Sequence, residues 1–489
     1  MWLVENLNLT SIKKTYKKTC LLFAVIGVKL RKQKTIFSSW FQVGFRVRDF
    51  MIKSLLKGLS KEEKSWILYD WSSQGYVMIV HSVVFSLFFI HSATLALGED
   101  SGAMAYWSLA NTAGTVIVGL LAPILGTLSG YKGKKKIIFT FFAYLGILGT
   151  IGLALVPEHL WFVLLLVFLV ASIGFSGSNK IYDAFLVDVS PKENMNRVST
   201  LGFGFGYIGG ALPFMLCIPF IIMAQFGVID IAIVTAYRIS FWIAALWWIG
   251  FSIPMFRNVK QQIGVDEEPQ YIRKSFVRVG TTAKDIMNHK PVLIFLIAFF
   301  LYSDGLGSII RLAVSYGATI GLPDHVLLLV LLVTQFVAFP CAIIYGKMSE
   351  RYGAKKVIYF GIFTYCVICM IALSMNPARD IAFLTAMFWT LAMLVGTAQG
   401  GVQALSRSYF GRIIPKEKSN EYFGFYNIFG RFASILGTTF FGVVYLVTGL
   451  PHYGIGVIVI LFIASAIVFR FAPDDRDYVE GQTQIESEV

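Results

Sequence analysis

Hydrophobic residues of this chain fall into long, nearly continuous blocks separated by short polar segments that are often marked by Gly or Pro. A membrane-spanning helix needs about 20 mostly apolar residues. Single open strands cannot cross lipid, so each block is read as a helix. The pattern predicts an all-α membrane protein with twelve transmembrane helices, near residues 71–97, 104–128, 137–156, 160–182, 199–224, 237–256, 291–315, 325–348, 357–375, 381–404, 421–448 and 453–472.

Composition supports this interpretation. Of 489 residues, 56% are hydrophobic and only 14% are charged, whereas an average soluble protein is about 25% charged. These values exclude a disordered, fibrous or ordinary cytosolic protein. The five cysteines are interpreted as small packing residues, and we expect no metal or other cofactor.

The net charge of +14 follows the predicted topology. Every second loop is rich in Lys and Arg, the alternate loops are nearly free of them, and only Arg238 and Arg379 break the pattern. The positive-inside rule therefore places both termini in the cytoplasm. The surplus charge is interpreted as a contact with the anionic lipid bilayer, and no nucleic-acid partner is expected.

Five regions are predicted along the chain. Residues 1–65 form a basic cytoplasmic segment; its first 50 residues hold ten Lys/Arg and two Asp/Glu, a net of +8. That segment is either a tail lying on the membrane or a stretch outside the folded unit. Two six-helix bundles, 66–256 and 291–472, flank a cytoplasmic linker at 257–290, and 473–489 form a cytoplasmic tail.

Two motifs recur in equivalent loops of the two halves. Gly126-Thr-Leu-Ser-Gly-Tyr-Lys-Gly133-Lys-Lys-Lys136 matches Gly346-Lys-Met-Ser-Glu-Arg-Tyr-Gly353-Ala-Lys-Lys356 at an offset of 220 residues (346 − 126 and 353 − 133). Pro191-Lys-Glu-Asn-Met-Asn196 matches Pro415-Lys-Glu-Lys-Ser-Asn420 at an offset of 224 (415 − 191). Such long-period similarity predicts two pseudo-symmetric bundles.

The loop motif resembles the signature of the major facilitator superfamily. The second copy matches it at Gly346, Glu350, Arg351, Gly353, Lys355 and Lys356. The first copy keeps Gly126, Gly133, Lys134 and Lys135, but Gly130 stands where the signature has an acid. The resemblance implies the major facilitator fold and a cytoplasmic gate formed by these loops. It leaves a charge relay in the first half in doubt.

Further segments narrow the resemblance to the vacuole-effluxer-like family, over roughly residues 60–472. They are Tyr69-Asp-Trp-Ser-Ser-Gln-Gly-Tyr76, Tyr182-Asp-Ala-Phe-Leu-Val-Asp188, Tyr302-Ser-Asp-Gly-Leu-Gly-Ser308, Gln403-Ala-Leu-Ser-Arg-Ser408 and Glu421-Tyr-Phe-Gly-Phe-Tyr426. The resemblance implies a secondary transporter that exports amino acids by alternating access. It also implies a vacuolar membrane for a fungal protein and the plasma membrane for a bacterial one.

Ionisable residues inside predicted spans are candidates for the transport pathway, because buried charge is costly in a membrane. Asp304, about 13 residues into the seventh span, and Arg431 in the eleventh are expected at similar depth. We expect them to pair or to share a zwitterionic substrate, with Arg311 two turns beyond Asp304. A purely structural ion pair is the alternative. Gly305 and Gly307 would let the seventh helix bend or unwind.

Other candidates for the substrate or proton pathway are His81, Tyr182, Asp183, Tyr302 and Gln403. His81 could relay protons, because histidine titrates near neutral pH, or could simply be hydrogen-bonded. The charged end of the fourth span, which includes Asp183 and Asp188, either joins the basic loops in a gate or is a solvated helix end. Small residues predicted to pack helices closely are Gly202, Gly206, Gly210 and Gly430.

A sensor or scaffold without transport activity could use the same fold and remains an alternative. An enzyme is not expected, because no metalloprotease motif or Ser/His/Asp set is present, and the absence of a phosphate-binding loop argues against an ATP-driven pump. The predicted partner is a small-molecule substrate, with protons as a candidate coupling ion and a monomeric protein as the expected state. Sugars, peptides and drugs are the alternative substrates.

Overall fold

The computed structural model describes residues 55–98, 103–227, 230–266, 271–319, 321–322, 324–375, 380–433, 435–448 and 451–477. Most of the predicted basic segment, 1–54, and the end of the predicted tail, 478–489, therefore lie outside the described residues. Lys61–Val489 form one compact unit, separate from Met1–Ser60. The first helix begins at Lys61, a few residues before the predicted boundary at 66.

Fourteen α-helices, numbered α1 to α14 here, make up the described part of the compact unit. They are α1 Lys61–Leu97, with a π-helical segment at Val77–Val84, α2 Ala103–Ser129, α3 Lys134–Leu155, α4 Trp161–Val189, α5 Met195–Gln225, α6 Ile233–Asn258, α7 Tyr271–Asn288, α8 Lys290–Thr319, α9 Asp324–Tyr352, α10 Ala354–Leu373, α11 Ile381–Ile413, α12 Ser419–Phe432, α13 Ile435–Thr448 and α14 Pro451–Phe469.

Each predicted span coincides with one of these helices, except that the eleventh coincides with two, α12 and α13. Within the described residues, nine helices are long and apolar enough to cross a membrane, and the remaining apolar helical segments are shorter: Val116–Ser129, Leu436–Thr448 and Tyr453–Phe469. No β-strand occurs in the ranges described above. The fold class is therefore all-α.

Two features of the local structure add to the sequence analysis. The seventh span is not unwound at its glycines, because α8 is one continuous helix, and a Cβ atom at Gly305 would lie 2.7 Å from the Phe462 ring. An interruption lies in the eleventh span, where Ala433 leaves the helical conformation with ψ 145°. The second part of the linker forms the 18-residue helix α7.

The first six helices pack closely among themselves, with α1 against α5 and α6, and α3 against α4. The last helices do the same, with α14 against α8, α10 and α13. The two sets meet along α5, which contacts α9 and α11, and where α2 contacts α12. Many large apolar side chains point outward, among them Leu109, Phe141, Leu246, Phe363 and Ile463, each more than 45% exposed. An apolar outer surface of this extent fits a lipid-facing exterior.

The repeated glycines both have a positive φ directly before a helix. Gly133 has φ 76° and ψ −15° and precedes α3, and Gly353 has φ 86° and ψ 149° and precedes α10. A positive φ strains residues with a Cβ atom, so glycine is favoured at both positions. The two backbone turns differ in ψ.

The other glycine of each motif lies at a contact between the two sets of helices. A Cβ atom at Gly126 would lie 2.7 Å from the Asn420 carbonyl oxygen and 3.2 Å from the Gly424 Cα of α12. A Cβ atom at Gly346 would overlap the Thr200 side chain of α5. Thr200 and Gly424 are 224 residues apart, the offset of the second repeat. The two contacts are therefore equivalent under the internal repeat.

Candidate functional site

A polar cavity of about 420 Å³ lies between helices of the two sets. Its lining comes from α4, α5, α8, α11, α12 and the interruption of the eleventh span. The residues that line it are Asp183, Phe203, Phe299, Ser303, Leu306, Gly307, Ile310, Arg311, Gln403, Arg407, Tyr426, Asn427, Gly430 and Ala433. Two arginines, one carboxylate, two amides and the hydroxyl residues Ser303 and Tyr426 line the cavity together with apolar side chains. This composition is typical of a small-molecule site.

Arg407 of α11 forms the charged centre of the site. Its Nη1 donates to Asp183 Oδ1 of α4 at 3.0 Å, and its Nη2 lies 3.5 Å from Asp70 Oδ2 of α1. Arg407 also donates from Nε to the Ser199 hydroxyl of α5 at 3.0 Å and from Nη2 to the Ser199 carbonyl at 3.2 Å. One side chain of the last helices is thus bound to three of the first helices.

Aromatic rings enclose the same guanidinium group. Its Cζ lies 4.5 Å from the Trp66 ring centre, 4.4 Å from that of Phe203 and 5.5 Å from that of Tyr182. Trp66 and Tyr182 stack on each other with centroids 4.4 Å apart, and the Trp66 indole donates to the Tyr182 carbonyl at 3.0 Å. A cation–π contact of a desolvated arginine contributes about 2 kcal/mol or more. The rings therefore help to hold the charge in place.

Three of the predicted pathway residues, Asp183, Arg311 and Gln403, do line this cavity. Arg311 is exposed within it, and Asp183 keeps 20% of its side chain accessible. Tyr302 is buried beside the cavity, and its hydroxyl shares a 2.6 Å hydrogen bond with Ser406. Tyr182 lies under Arg407, as described above.

Asp304 is fully buried and caps a helix instead of lining the cavity. Its Oδ1 accepts from the Gly437 amide at 2.9 Å, and its Oδ2 accepts from the Leu436 amide at 3.2 Å. These amides belong to the first turn of α13, whose positive dipole end favours a carboxylate. The arrangement gives the interruption of the eleventh span a fixed partner on α8. This is a structural contact, the type of alternative that the sequence leaves open.

Two other candidates lie apart from this group. Arg431 belongs to α12, but its side chain lies outside the described part of the chain, so the predicted pairing with Asp304 stays a prediction. His81 is exposed within the π-helical segment of α1, with its ring parallel to Phe168 at a centroid distance of 6.2 Å. Neither position contributes to the cavity lining described here.

The predicted gate loops bind the segments that follow the last helix of each half. Lys135 forms a fully buried ion pair with Asp188, and its backbone amide donates to the Gln261 side chain at 3.1 Å. Asp188 also accepts from the amides of Gln262 and Ile263 at 2.8 and 3.0 Å. The charged end of the fourth span is therefore joined to the basic loop, one of the two interpretations that the sequence allows.

The second copy of the motif makes the equivalent contacts. The Lys355 amide donates to Asp475 Oδ1 at 3.3 Å, and the Lys355 ammonium donates to the Arg470 and Ala472 carbonyls. Asp475 is fully buried and pairs with Arg412 at 2.7 Å. Glu350 and Arg351, by contrast, are exposed, and the Arg351 guanidinium lies over the Tyr352 ring. Lys134 is half-buried at the start of α3.

Glu421 of α12 lies where the first motif copy lacks its acid. Its Oε1 is 3.7 Å from the position that a Cβ atom of Gly130 would take. The Glu421 carboxylate binds Arg278 and the Thr282 hydroxyl of α7, and Arg278 lies 5.0 Å from the Tyr131 ring centre. The linker helix is thereby joined to both α2 and α12. We call these contacts the α7 clasp.

The predicted packing glycines mark where α5 and α12 approach their neighbours. Methyl groups at Gly206 and Gly210 would come within 3.1 Å of Gln74 and 2.8 Å of Met78 on α1. Gly202 lies next to Arg407, and a Cβ atom at Gly202 would lie 3.1 Å from Asp70 Oδ2. Gly430 has more room, 3.6 Å from the Phe299 ring, and lines the cavity.

Sequence reasoning missed Arg407 as a site residue, although the motif Gln403–Ser408 contains it. The signal that could have found it is a positive charge four residues beyond Gln403. Because the tenth predicted span ends at residue 404, Arg407 is assigned to the following loop. For Asp70, at the foot of the first predicted span, the sequence leaves open a gate residue or a solvated helix end. Arg407 and Asp70 are both buried because α1 and α11 extend well beyond their predicted spans.

Comparison with known proteins identifies the family and the fold of the chain. A family model described as "Vacuole effluxer Atg22 like" matches residues 97–482. The chain belongs to this family. An uncharacterized MFS-type transporter, YxiO of Bacillus subtilis (strain 168), is 43% identical over 430 residues, which cover 88% of this chain and 99% of that protein. The chain is therefore a multi-pass membrane transporter of the major facilitator superfamily and not an enzyme.

Fungal members of the Atg22-like family are more distant. Autophagy-related protein 22 of Eremothecium gossypii is 21% identical over 477 residues, covering 85% of this chain and 92% of that protein. Autophagy-related protein 22-2 of Aspergillus clavatus is 27% identical over 271 residues, covering 51% of this chain and 43% of that protein.

Solved structures of other transporters share the fold. The proton:xylose symporter XylE aligns with a TM-score of 0.64 at 12% identity, covering 85% of this chain and 96% of that one. The transporter FucP in its outward conformation aligns with a TM-score of 0.63 at 13% identity, covering 84% of this chain and 100% of that one. Both likenesses establish the major facilitator fold.

Proposed function

We propose that the protein is a secondary active transporter that exports amino acids or related zwitterions by alternating access, coupled to protons. The observation that carries this proposal is the cavity lining, in which Asp183 offers a negative charge and Arg311 and Arg407 offer positive charges. A free amino acid carries an ammonium and a carboxylate next to each other. In a low-dielectric site both need a partner of opposite charge. Gln403 and Asn427 add hydrogen-bonding amides to the same wall.

Alternating access requires two sets of helices that separate at one end while closing at the other. The contacts at Gly126 and Gly346, together with the α7 clasp, hold the motif end shut in this conformation. The basic loops place that end in the cytoplasm under the positive-inside rule. The conformation described here is then the one closed to the cytoplasm. A monomer is sufficient for this mechanism, because both sets belong to one chain.

A thermal-shift screen of purified protein against amino acids, dipeptides and sugars tests the substrate class. We expect a group of amino acids to raise the melting temperature, because a ligand at 100 times its Kd stabilises the folded state by about 2.7 kcal/mol. The same compounds should then be carried by proteoliposomes that contain the protein. Gln403→Ala should weaken both effects, whereas Lys284→Ala, on the exposed side of α7, should change neither.

Each alternative gives a different result in these assays. Stabilisation by sugars or dipeptides alone would contradict the amino-acid substrate and retain a transporter. Binding of an amino acid without transport, in vesicles of either orientation, would point to a sensor or scaffold on the same fold. Uptake without efflux, under matched gradients, would reverse the proposed direction.

A further inference from the structure

Two carboxylates, the buried Asp70 and the partly buried Asp183, share one arginine at the edge of the cavity. Asp70 is 5% and Arg407 is 3% exposed, and both carboxylates lie within 3.5 Å of the guanidinium group. Buried charge is tolerated when each group has a partner, and a single arginine neutralises one carboxylate. When two carboxylates share a site, they titrate as a pair, and one of them tends to keep its proton.

The two carboxylates are bound unequally. Asp183 receives a direct 3.0 Å hydrogen bond from Arg407 and faces the cavity. Asp70 lies behind Arg407, and its Oδ2 forms no hydrogen bond within the described residues, although Arg407 Nη2 lies 3.5 Å from it. The buried Tyr182 hydroxyl also forms no hydrogen bond there. An ionised oxygen with only a long ion-pair contact is poorly compensated inside a protein, whereas a protonated carboxyl group needs less compensation. The asymmetry favours Asp70 as the place of the proton.

The titratable, charged and amide groups that face this pair come from five helices. They are Tyr69 and Gln74 of α1, Lys180 and Tyr182 of α4, Tyr207 of α5, Arg407 of α11 and Tyr426 of α12. Lys180 precedes Asp183 on α4 by about one turn. Within this set, Arg407 is the cation that contacts Asp70.

We propose that Asp70 and Asp183 form a proton site whose one exchangeable proton determines whether Arg407 is held by the first six helices or is released to bind a substrate carboxylate. This proposal rests on the proposed function and names its coupling site. With Asp70 protonated, one carboxylate holds Arg407, and the guanidinium group can turn to an anion in the cavity. With the proton released to water through the Asp183 side of the cavity, two carboxylates hold Arg407 and the site loses its affinity for that anion.

The test compares two transport modes in proteoliposomes, using the amino acid found in the screen. Exchange of labelled for unlabelled substrate at equal pH needs no proton transfer, whereas accumulation driven by a pH gradient does. Asp70→Asn should retain exchange and lose gradient-driven accumulation by about tenfold or more. Asp266→Asn, which removes a carboxylate that is 87% exposed in the linker, should retain both. Accumulation by Asp70→Asn at the wild-type level would overturn the proposal, as would wild-type accumulation without any response to the gradient.

A second measurement needs no substrate. Infrared difference spectra of the purified protein during a pH change should show the carbonyl stretch of a protonated carboxyl group that disappears in Asp70→Asn. The band should return in Asp70→Glu, and size-exclusion chromatography shows whether each variant is folded. If the protein carries no amino acid but the band is present, the proposed function fails and the proton site stands. If substrate is carried and the wild type has no such band, the proton site fails alone.

Discussion

Gly202 is the residue that lets α1, α5 and α11 meet. A Cβ atom there would lie 3.0 Å from the Trp66 ring, 3.1 Å from Asp70 Oδ2 and 3.2 Å from Arg407 Nη2. All three distances are shorter than ordinary carbon contacts, and all three neighbours are buried. Because protein interiors are close-packed, the added methyl group would displace the ion pair itself.

We therefore expect Gly202→Ala to lower the free energy of unfolding by about 1–3 kcal/mol and to impair transport strongly. Gly250→Ala is the matched control, because Gly250 is an exposed helix residue with no atom within 4 Å of an added Cβ. That change should be neutral, or stabilising by up to about 1 kcal/mol through helix propensity. Thermal unfolding in detergent and substrate exchange measure the two effects. Wild-type exchange by Gly202→Ala would show that the ion pair has more room than the structure gives it.

At the scale of single residues, the sequence predicts which residues lie at the site better than it predicts which residues bind each other. Asp183, Arg311 and Gln403 were predicted as pathway residues from their motifs or their place in a span, and they do line the cavity. That Arg407 binds Asp70 and Asp183 could not be predicted, because these residues are 337 and 224 positions apart (407 − 70 and 407 − 183). Asp304 shows the opposite case: the residue was recognised as buried, but its partner is a helix end that exists only because the eleventh span is interrupted.

Among the elements, the interruption between α12 and α13 depends on Asp304. An aspartate and an asparagine both accept hydrogen bonds at a helix N-terminus, whereas an alanine does not. Asp304→Asn should therefore retain folding and substrate exchange, and Asp304→Ala should cost about 1–2 kcal/mol of stability. Denaturation and exchange assays of the two variants measure this. A folded Asp304→Asn protein without transport would instead support a direct role in the pathway.

The α7 clasp makes a second prediction for an element. Arg278→Glu places a carboxylate against Glu421, which is 3% exposed, so the motif end should open more easily. Glu421→Arg should act similarly, and the double reversal should recover part of the loss, with a coupling energy of about 0.5–3 kcal/mol. Labelling of a cysteine placed at Thr200 reports the opening, and Lys284→Glu on the same helix controls for charge. Equal labelling in all variants would mean that the clasp does not limit opening.

The linker helix also shows what helix prediction can miss. Residues 257–290 were read as a polar linker because α7 has too few apolar residues to span a membrane. The contact between α7 and the rest of the molecule depends on Glu421 of α12. The first motif copy has Gly130 where the signature has an acid, and the Glu421 carboxylate lies next to Gly130 only in the folded chain. The sequence pattern therefore does not show that this carboxylate binds Arg278.

For the whole molecule, the internal repeat relates two contacts between the two sets of helices. Gly126 against Gly424 and Gly346 against Thr200 are equivalent under the repeat. The repeat can be read from two loop motifs. The conformation cannot be read from the sequence, because the two states of the proposed alternating access would use the same residues.

Cross-linking tests whether transport requires the two sets of helices to separate at the motif end. In a background with the cysteines replaced, the pair Gly204→Cys on α5 and Ala342→Cys on α9 should form a disulfide, because an ideal Cβ at 204 lies 3.6 Å from the Ala342 Cβ, which is within the Cβ–Cβ range of disulfides. The disulfide should stop substrate exchange, and a reductant should restore it. A pair at exposed positions of one helix, Ala386→Cys and Thr390→Cys, should leave exchange unchanged. Full exchange by the oxidised Gly204/Ala342 variant would mean that transport does not need this contact to open.

The interruption of the eleventh span also has an electrostatic consequence for the cavity. A helix end carries about half an elementary charge, negative at the C-terminus, and its effect is strongest where water is excluded. The C-terminal turn of α12, with Gly430 and Ala433, is part of the cavity wall, while the opposite end of the break at α13 is compensated by Asp304. A field from peptide dipoles therefore favours the ammonium group of a solute on that wall, which would orient an amino acid before any side chain discriminates between substrates.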